Sequence, residues 1–475
     1  LPPSSSPGEI PALSDKNTAG PTATVAAEEG NPSALSQNTG PNVLQIDFKK
    51  LYDNESDETM SWMHEYFGLR EPTKKNDHTG RFAGHNLILI TAEGFSHMVI
   101  DPELTPTLYK MATQGYVFPE FYTPIWEVST SDGEYVATTG LIPRSGVWSL
   151  SRSAVNYLPF TMGNALRREG YLTMAYHNHT YTYYDRDTSH PNLGYEYKGL
   201  GNGLDIPEQW PQSDLDMMEA SVDEYIHKEP FHTYYMTVSG HLEYNFTGNA
   251  MAKKNRHLVD HLDYSDEVKA YLSCNIELDR AMEYLLERLN QAGVAERTLI
   301  VISSDHYPYG LTDEAMNELA GHEVERNFEL YRNALIMYEQ GMESEIITRP
   351  TSSLDIIPTL HNLMGLNFDS RLLMGTDIFS DTSPFVVFLN RSYITKDFRY
   401  NSRTDEYLGK EPTADYKTEM SEKVRRMFMY SGLINEKDYY GYLDARNQLP
   451  IPRAYPDNVK ELLAKDEPET PSETP

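Results

Sequence analysis

The chain has 475 residues, a formal net charge of −31 and a single cysteine, Cys274. This length allows one large α/β domain with appendages, or two domains. The charge argues against nucleic acid as a partner, because phosphate backbones are bound by surfaces rich in Lys and Arg. One cysteine excludes an intrachain disulfide and a cysteine-based zinc site, and no apolar run approaches the roughly 18–20 residues of a membrane span.

The two ends of the chain differ in composition from its middle. Residues 1–42 are rich in Pro, Ser, Thr and Ala, so they cannot bury enough apolar surface to offset their ordering entropy. We predict a disordered linker there and, for the same reason, an acidic disordered tail over 463–475. Between them we expect a main domain over 43–402 and a small C-terminal element over 403–462. Because residue 1 is leucine, we expect a processed product or a fragment of a longer protein.

Apolar runs alternate with helical patterns along the middle of the chain. The run at 86–94 (NLILITAEG) is continuous and ends in small and acidic residues, as buried parallel strands do. Residues 265–291 have the 3.6-residue apolar period of an amphipathic helix, and residues 352–366 are predicted to form a second helix. The remaining runs are 107–118 (a short helix followed by a strand), 171–179, 232–241 and 297–310.

This alternation predicts an α/β fold with a mostly parallel central sheet, helices on both faces and a small C-terminal α+β element. In such sheets, ligands bind beyond the carboxyl ends of the strands. The residues that follow the apolar runs are therefore the candidates for chemistry. They are Glu93, the hydroxyl loop 129–131, His177, His179, His241, Asp305 and His306.

Three of these candidates could bind a metal together. Taken alone, Asp305 and His306 could be a capping Asp and a surface His, and Glu93 could simply meet solvent at the end of its strand. If the two strand ends lie in one sheet, however, the three side chains could hold a divalent cation. Carboxylates with one imidazole suit Mn²⁺ or Zn²⁺.

The stretch EVSTSDGEYVATTG (127–140) is a hydroxyl-rich loop that leads into a helix. Ser131 and Glu134 have the spacing of a capping box. A nearby metal would lower the pKa of one of the three hydroxyls of Ser129, Thr130 and Ser131, and the helix start would supply N–H groups for a phosphate or sulfate. The loop therefore fits phosphoryl or sulfuryl transfer with one of its hydroxyls as the nucleophile, and a capping role for Ser131 is compatible with that chemistry.

Six separated motifs resemble one family in its own order. They are NLILITAEGF, STSDGEY, HNHTYTYYDR, TVSGH, TLIVISSDHY and DIIPTLHNLMG, between about residues 80 and 400. The set resembles the extracellular catalytic domain of lipoteichoic acid synthases, which are phosphoglycerol transferases of the alkaline-phosphatase/sulfatase superfamily. The resemblance implies that superfamily's fold and makes 43–402 the catalytic domain.

The resemblance also implies roles for individual residues. Thr130 matches the nucleophile, which is also a metal ligand, and Glu93, Asp305 and His306 match the other ligands of Mn²⁺ or Mg²⁺. The residues that match the family's glycerophosphate site are His177, Arg186, His241 and Tyr184, the last replacing a tryptophan. Two further departures are Asn178 and Ser304, each at a position where the family has glycine.

Side-chain chemistry supports parts of this assignment. The planar guanidinium of Arg186 can grip a phosphoryl oxygen with two hydrogen bonds. Either His177 or His241 could bind donor hydroxyls or protonate a leaving group. We leave open whether His179 has a structural or a functional role. Three further histidines, His190, His232 and His322, we interpret as structural.

The expected activity is transfer of glycerophosphate from phosphatidylglycerol to a lipoteichoic acid-type polymer through a phosphothreonine. This reaction would take place at the extracellular face of a bacterial cytoplasmic membrane, with a membrane lipid and a polymer acceptor as partners. We expect the chain to be the soluble ectodomain of a membrane protein, or a secreted protein. The alternatives are transfer of another headgroup such as phosphoethanolamine, hydrolysis of a phosphodiester, and an inactive relative that binds cell-wall polymer. Formylglycine chemistry is disfavoured, since the sequence lacks the C/S-x-P-x-R run that it requires.

Overall fold

In the computed structural model, which describes residues 40–452, the apolar run at the start of the main domain forms strand β1 (Asn86–Ala92). All seven of its residues are buried, as expected for a strand covered on both faces. The other strands are β2 (Tyr116–Val117), β3 (Phe121–Tyr122), β4 (Leu172–Thr180), β5 (Glu196–Leu200), β6 (Gly203–Leu204), β7 (Phe231–Met236), β8 (Thr298–Ser304), β9 (Arg332–Asn333), β10 (Ile336–Tyr338), β11 (Glu345–Ile346), β12 (Thr351–Ser352), β13 (Phe385–Val387), β14 (Tyr393–Thr395), β15 (Phe398–Asn401) and β16 (Glu406–Gly409).

Nine of these strands form the central sheet, in the order β11-β2-β10-β8-β1-β7-β4-β5-β6. Strands β8, β1, β7, β4, β5 and β6 are parallel, and β10 runs antiparallel to both of its neighbours. The register pairs Ala92 of β1 with Ser304 of β8 and Thr91 with Met236 of β7. The carboxyl ends of these three strands therefore lie side by side.

Helices cover both faces of this sheet. They are α1 (Phe48–Asn54), α2 (Glu58–Leu69), α3 (Pro106–Gln114), α4 (Ser129–Thr139), α5 (Ser149–Ser153), α6 (Met162–Arg168), α7 (Arg186–Asn192), α8 (Asp214–Ser221), α9 (Ala250–Asn255), α10 (Asp266–Ala292), α11 (Asp313–Ala320), α12 (Ile356–Leu363), α13 (Ala414–Lys437) and α14 (Tyr439–Ala445). Alternate residues of β1 enter opposite cores: Leu87 and Leu89 pack with α4 and α12, whereas Ile88 and Ile90 pack with α3 and α10. The predicted α/β fold is confirmed.

Most of the predicted elements are present, with adjusted ends. The long amphipathic helix is α10, and the helix predicted over 352–366 begins with a 3₁₀ turn (Ser353–Asp355) and continues as α12. Within residues 40–452, no helix is both long enough and apolar enough to cross a membrane.

Several of the sequence predictions concern the two ends of the chain. Residues 1–39 of the predicted linker and the whole tail over 463–475 lie outside the described residues. The division between 43–402 and 403–462 remains a prediction. It falls between β15 and β16, which are adjacent antiparallel strands of a four-stranded sheet.

The C-terminal helices pack against the domain that holds the site. The Ser431 hydroxyl on α13 accepts a hydrogen bond from the Ile142 N–H at 2.7 Å and lies 2.9 Å from the Ile142 carbonyl. On α14, Tyr440 donates to the Leu372 carbonyl at 2.7 Å. The contacts of Ser431 brace the segment just beyond α4.

Candidate metal and nucleophile site

Three buried side chains meet at the carboxyl ends of β1 and β8. Glu93 follows β1, and Asp305 and His306 follow β8. The His306 Nε2 atom lies 3.4 Å from Glu93 Oε1 and 3.2 Å from Asp305 Oδ2. The parallel register of the two strands places these residues together, as the sequence predicts.

The chemistry of this cluster fits a divalent cation. One ligand atom from each residue lies within 4.8 Å of the others. Asp305 Oδ1 accepts hydrogen bonds from two backbone N–H groups, those of Gly94 and His306, but buried Oδ2 has no hydrogen-bond partner among residues 40–452. His306 Nδ1 donates to the Tyr307 carbonyl, so Nε2 faces the cluster with its lone pair. A cation here would satisfy the unpaired carboxylate oxygen.

The electrostatics of Glu93 also favour a positive charge beside its carboxylate. Burial, followed by repulsion from the neighbouring Asp305 carboxylate, raises the pKa of Glu93 well above its ordinary value. Two buried carboxylates facing each other are costly unless a cation lies between them. Glu93 and Asp305 are therefore buried candidates for metal ligands rather than surface groups.

Thr130 lies directly beside this cluster. Its Oγ1 donates to Glu93 Oε2 at 3.2 Å and lies 3.1 Å from His306 Nε2, and the residue is only 7% exposed. The preceding residue, Ser129, has a φ of +22°, a sparsely populated conformation for a residue with a side chain. The loop thus holds strain at the point where it presents the hydroxyl.

The predicted capping role of Ser131 is wrong. Helix α4 begins at Ser129 with Val128 as its N-cap residue, so Ser131 lies inside the first turn. Its Oγ has no hydrogen-bond partner among the described residues. The Asp132 carboxylate instead accepts a hydrogen bond from the Val128 N–H at 2.9 Å.

Two glycines allow the elements of the site to approach closely. A Cβ atom on Gly133 would lie 2.2 Å from the Asp305 carbonyl oxygen, and one on Gly240 would lie 2.1 Å from the Glu93 carbonyl oxygen. Real Cβ atoms do not approach backbone so closely. Helix α4 and the loop after β7 can therefore contact the metal-ligand turns only because these residues have no side chain.

Glu134 belongs to a buried network rather than to a capping box. It receives the Arg186 Nε and Nη2 groups, each at 2.9 Å, as well as His190 Nε2 at 3.0 Å and the Tyr234 hydroxyl at 3.2 Å. Burial alone would raise the pKa of Glu134, but Arg186 and His190 outweigh it and hold this pKa below its ordinary value. Helical spacing places this carboxylate one turn after Thr130.

The same network engages His177. Arg186 Nη1 donates to His177 Nε2 at 3.1 Å, and His177 Nδ1 donates to the Met236 carbonyl at 2.9 Å. Burial and the Arg186 charge lower the pKa of His177 well below its ordinary value. Arg186 is fully buried; its Nε donates to Glu134, and its Nη2 lies 2.9 Å from the same carboxylate oxygen but has no hydrogen-bond partner among the described residues.

Two of the predicted site residues, His241 and Tyr184, are partly exposed. His241 Nδ1 donates to the Leu242 carbonyl at 2.6 Å, which leaves the Nε2 lone pair to accept a hydrogen bond. Burial lowers the pKa of His241, favouring this neutral form. The Arg186 guanidinium carbon lies 5.3 Å from the centre of the Tyr184 ring.

Sequence reasoning missed Asp214, which positions the loop that carries His241. Its carboxylate accepts hydrogen bonds from the Val238 and Ser239 N–H groups and from Asn178 Nδ2. Asn178, which departs from the family's glycine, thus ties the end of β4 to the loop after β7. No strand end marks Asp214 in the sequence, since it begins α8.

The sulfatase family matches residues 85–366, more than half of the chain and all of the site elements described above. The chain therefore belongs to the sulfatase family. Within the alkaline-phosphatase/sulfatase superfamily it is a lipoteichoic acid synthase-like member, so the resemblance read from the six motifs is confirmed.

Curated relatives show this similarity in sequence. The chain is 26% identical to the lipoteichoic acid synthase-like YvgJ of Bacillus subtilis, covering 68% of this chain and 55% of that protein. It is also 26% identical to the lipoteichoic acid synthase of Staphylococcus saprophyticus, covering 79% of this chain and 60% of that protein. The chain thus spans little more than half the length of these relatives.

Solved structures show the same fold. The lipoteichoic acid synthase LtaP from Listeria monocytogenes aligns with a TM-score of 0.65 at 19% identity, covering 79% of this chain and 97% of that one. A member of the alkaline phosphatase superfamily from Vibrio parahaemolyticus aligns with a TM-score of 0.60 at 15% identity, covering 83% and 96%.

Proposed function

We propose that this chain is the catalytic domain of a metal-dependent phosphoglycerol transferase of the lipoteichoic acid synthase type. The observation that carries the proposal is the position of the Thr130 hydroxyl, 3.2 Å from Glu93 Oε2 and 3.1 Å from His306 Nε2. Glu93, Thr130, Asp305 and His306 would bind Mn²⁺ or Mg²⁺. A bound ion would lower the pKa of the threonine hydroxyl and neutralise charge on the phosphoryl oxygens.

The reaction we infer has two displacement steps. Thr130 Oγ1 attacks the phosphorus of phosphatidylglycerol, the bond from phosphorus to the diacylglycerol oxygen breaks, and diacylglycerol leaves with a proton. The resulting phosphothreonine ester is then attacked by a hydroxyl of the polymer acceptor, which takes the glycerophosphate and restores the Thr130 hydroxyl. We place this reaction at the extracellular face of a bacterial cytoplasmic membrane.

The headgroup site that we propose comprises His177, Tyr184, Arg186 and His241. The lone pair on His241 Nε2 would accept a hydrogen bond from a glycerol hydroxyl, while Tyr184 would contact the headgroup with its ring. Arg186 would act through its positive charge, since its Nε donates to Glu134 and its Nη1 donates to His177. His177 would hold Arg186, because both of its ring nitrogens already have protein partners.

The test is release of diacylglycerol from phosphatidylglycerol vesicles with Mn²⁺ and with a chelator. We expect release only with the metal and complete loss in Thr130→Ala. A matched control is Thr138→Ala on the same helix, because within residues 40–452 that hydroxyl is hydrogen-bonded only to the carbonyl oxygens of Glu134 and Tyr135. This control should retain release.

Other products would contradict the proposal in distinguishable ways. Free glycerophosphate with no transfer to an acceptor would identify a phosphodiesterase. Consumption of phosphatidylethanolamine alone would identify a transferase of another headgroup. A bound metal with no lipid consumed would favour an inactive polymer-binding protein.

A further inference from the structure

Five aromatic side chains form a continuous chain of ring contacts at the mouth of the site. Successive ring centres are 5.3, 4.3, 4.7 and 5.1 Å apart, distances typical of interacting aromatic pairs. We call this set the aromatic rim, and in order it consists of Trp148, Tyr184, Tyr183, His179 and Trp210.

Three of the five side chains of the rim are exposed, although tryptophan is largely buried in most proteins. Trp148 is 52% exposed, Tyr183 44% and Trp210 40%. Two of the four tryptophans of the chain therefore lie partly in solvent on this one surface. Clusters of exposed aromatic residues mark interaction surfaces more often than scattered single ones do.

The rim is continuous with the proposed catalytic site. At one end the ring of Trp210 lies 4.6 Å from that of His241, and in the middle Tyr184 contacts the guanidinium of Arg186. Thr130, by contrast, is buried. The rim therefore borders two of the residues that we assign to the headgroup, His241 and Arg186.

We propose that the aromatic rim binds the lipid–water interface of a membrane. Tryptophan and tyrosine favour this interface, because the ring is apolar while its N–H or O–H group remains in contact with water. The net charge of −31 opposes general electrostatic attraction to anionic lipids. The uncharged rings of Trp148, Tyr183 and Trp210 provide a contact that does not depend on such attraction.

This inference rests on the proposed function for its choice of partner. The phosphorus of a phospholipid lies at the interface, while its acyl chains remain in the hydrocarbon core. A rim seated at that level would bring a headgroup toward Thr130 without extraction of the lipid. A flat sugar-stacking surface fits less well, since neighbouring rings of the rim are inclined by 39° to 62°.

The experiment measures binding to vesicles of pure phosphatidylcholine, which contain no proposed donor. Cosedimentation and the blue shift of tryptophan fluorescence would be compared for the unmodified chain and the double variant Trp148→Ala/Trp210→Ala. The matched control is Trp62→Ala, because Trp62 is 46% exposed on α2 and lies outside the rim. We expect the double variant to bind at least about tenfold more weakly, the control to bind normally, and salt to have little effect.

Three results would overturn the inference: no vesicle binding by the unmodified chain, equal loss in Trp62→Ala, or binding of oligosaccharides by the rim without vesicle binding. Turnover of a water-soluble glycerophosphodiester by the unmodified chain separates this inference from the proposed function. Vesicle binding without such turnover would remove the proposed chemistry and keep the membrane contact. Turnover without vesicle binding would remove the membrane contact and keep the proposed chemistry.

Discussion

At the scale of single residues, Glu134 links the nucleophile helix to the residues that we assign to the headgroup. It lies one helical turn after Thr130 and holds the Arg186 guanidinium by two contacts of 2.9 Å. Arg186 in turn donates to His177. A buried carboxylate that pairs with a buried arginine fixes the arginine's position, because neither charge can leave its partner without a large desolvation penalty.

We expect Glu134→Gln to lower the free energy of unfolding by about 3–5 kcal/mol, since it leaves a buried guanidinium without a counter-charge. It should also raise KM for the lipid donor, because Arg186 is no longer held. Denaturant unfolding and donor titrations would measure the two effects.

A control for this variant is Asp369→Asn, a buried carboxylate paired with Arg371 at 2.7 Å and not among the residues that we assign to the headgroup. It should also destabilise the protein, but it should leave KM for the donor unchanged. Equal changes in KM for both variants would show that Glu134 has only a structural role.

At the scale of elements, helix α4 reaches the turn after β8 through Gly133. We expect Gly133→Ala to weaken divalent-ion binding and metal-dependent turnover by at least tenfold, or about 1.4 kcal/mol. The reason is that a new Cβ would lie 2.2 Å from the Asp305 carbonyl and push the helix, with Thr130, away from the ligands. Metal titration monitored by calorimetry would measure the affinity.

The control is Gly248→Ala, where a Cβ would meet its nearest atom at 3.4 Å and the backbone φ is not positive. This substitution should change neither metal affinity nor turnover. Normal metal affinity in Gly133→Ala would contradict the close packing that we describe.

Strand ends could be predicted from the sequence, whereas contacts between distant elements could not. Glu93, Asp305 and His306 can be identified from the sequence because parallel strands bring their carboxyl ends to one edge of the sheet. This holds for any conformation of the connecting loops. The role of Glu134 was hidden, since its spacing from Ser131 matches a capping box while its partner Arg186 follows 52 residues later. The start of α4 was misplaced because Asp132, not Ser131, bonds the first free N–H group.

At the scale of the whole molecule, the two cores contain histidines that are neutral in the fold. His232 donates from Nδ1 to the Leu87 carbonyl, and His361 donates from Nε2 to the Phe160 carbonyl. Burial lowers the pKa of each to about 4. In the unfolded chain their pKa returns to about 6.5.

The protein should therefore lose stability as the pH falls. Between about pH 6.5 and 4 the unfolded chain binds more protons at these sites than the folded one, so stability rises with pH in this window and is complete above it. Each histidine contributes up to roughly 3 kcal/mol, at 1.36 kcal/mol per pKa unit. Denaturant unfolding at several pH values, with chelator present, would measure the slope.

His361→Gln should flatten this pH dependence by about one proton, and His257→Gln, which changes an exposed residue, should leave it unchanged. An equal slope for His361→Gln and the unmodified chain would show that His361 is not the group that titrates.

The most direct test of the central claim is intact mass spectrometry after incubation with phosphatidylglycerol and Mn²⁺, for the unmodified chain and for Thr130→Ala. The account predicts an added mass equal to glycerophosphate in the unmodified chain and none in the variant. An adduct that persists in Thr130→Ala would place the nucleophile elsewhere. Metal binding with diacylglycerol release but no adduct under any quench condition would contradict the covalent phosphothreonine.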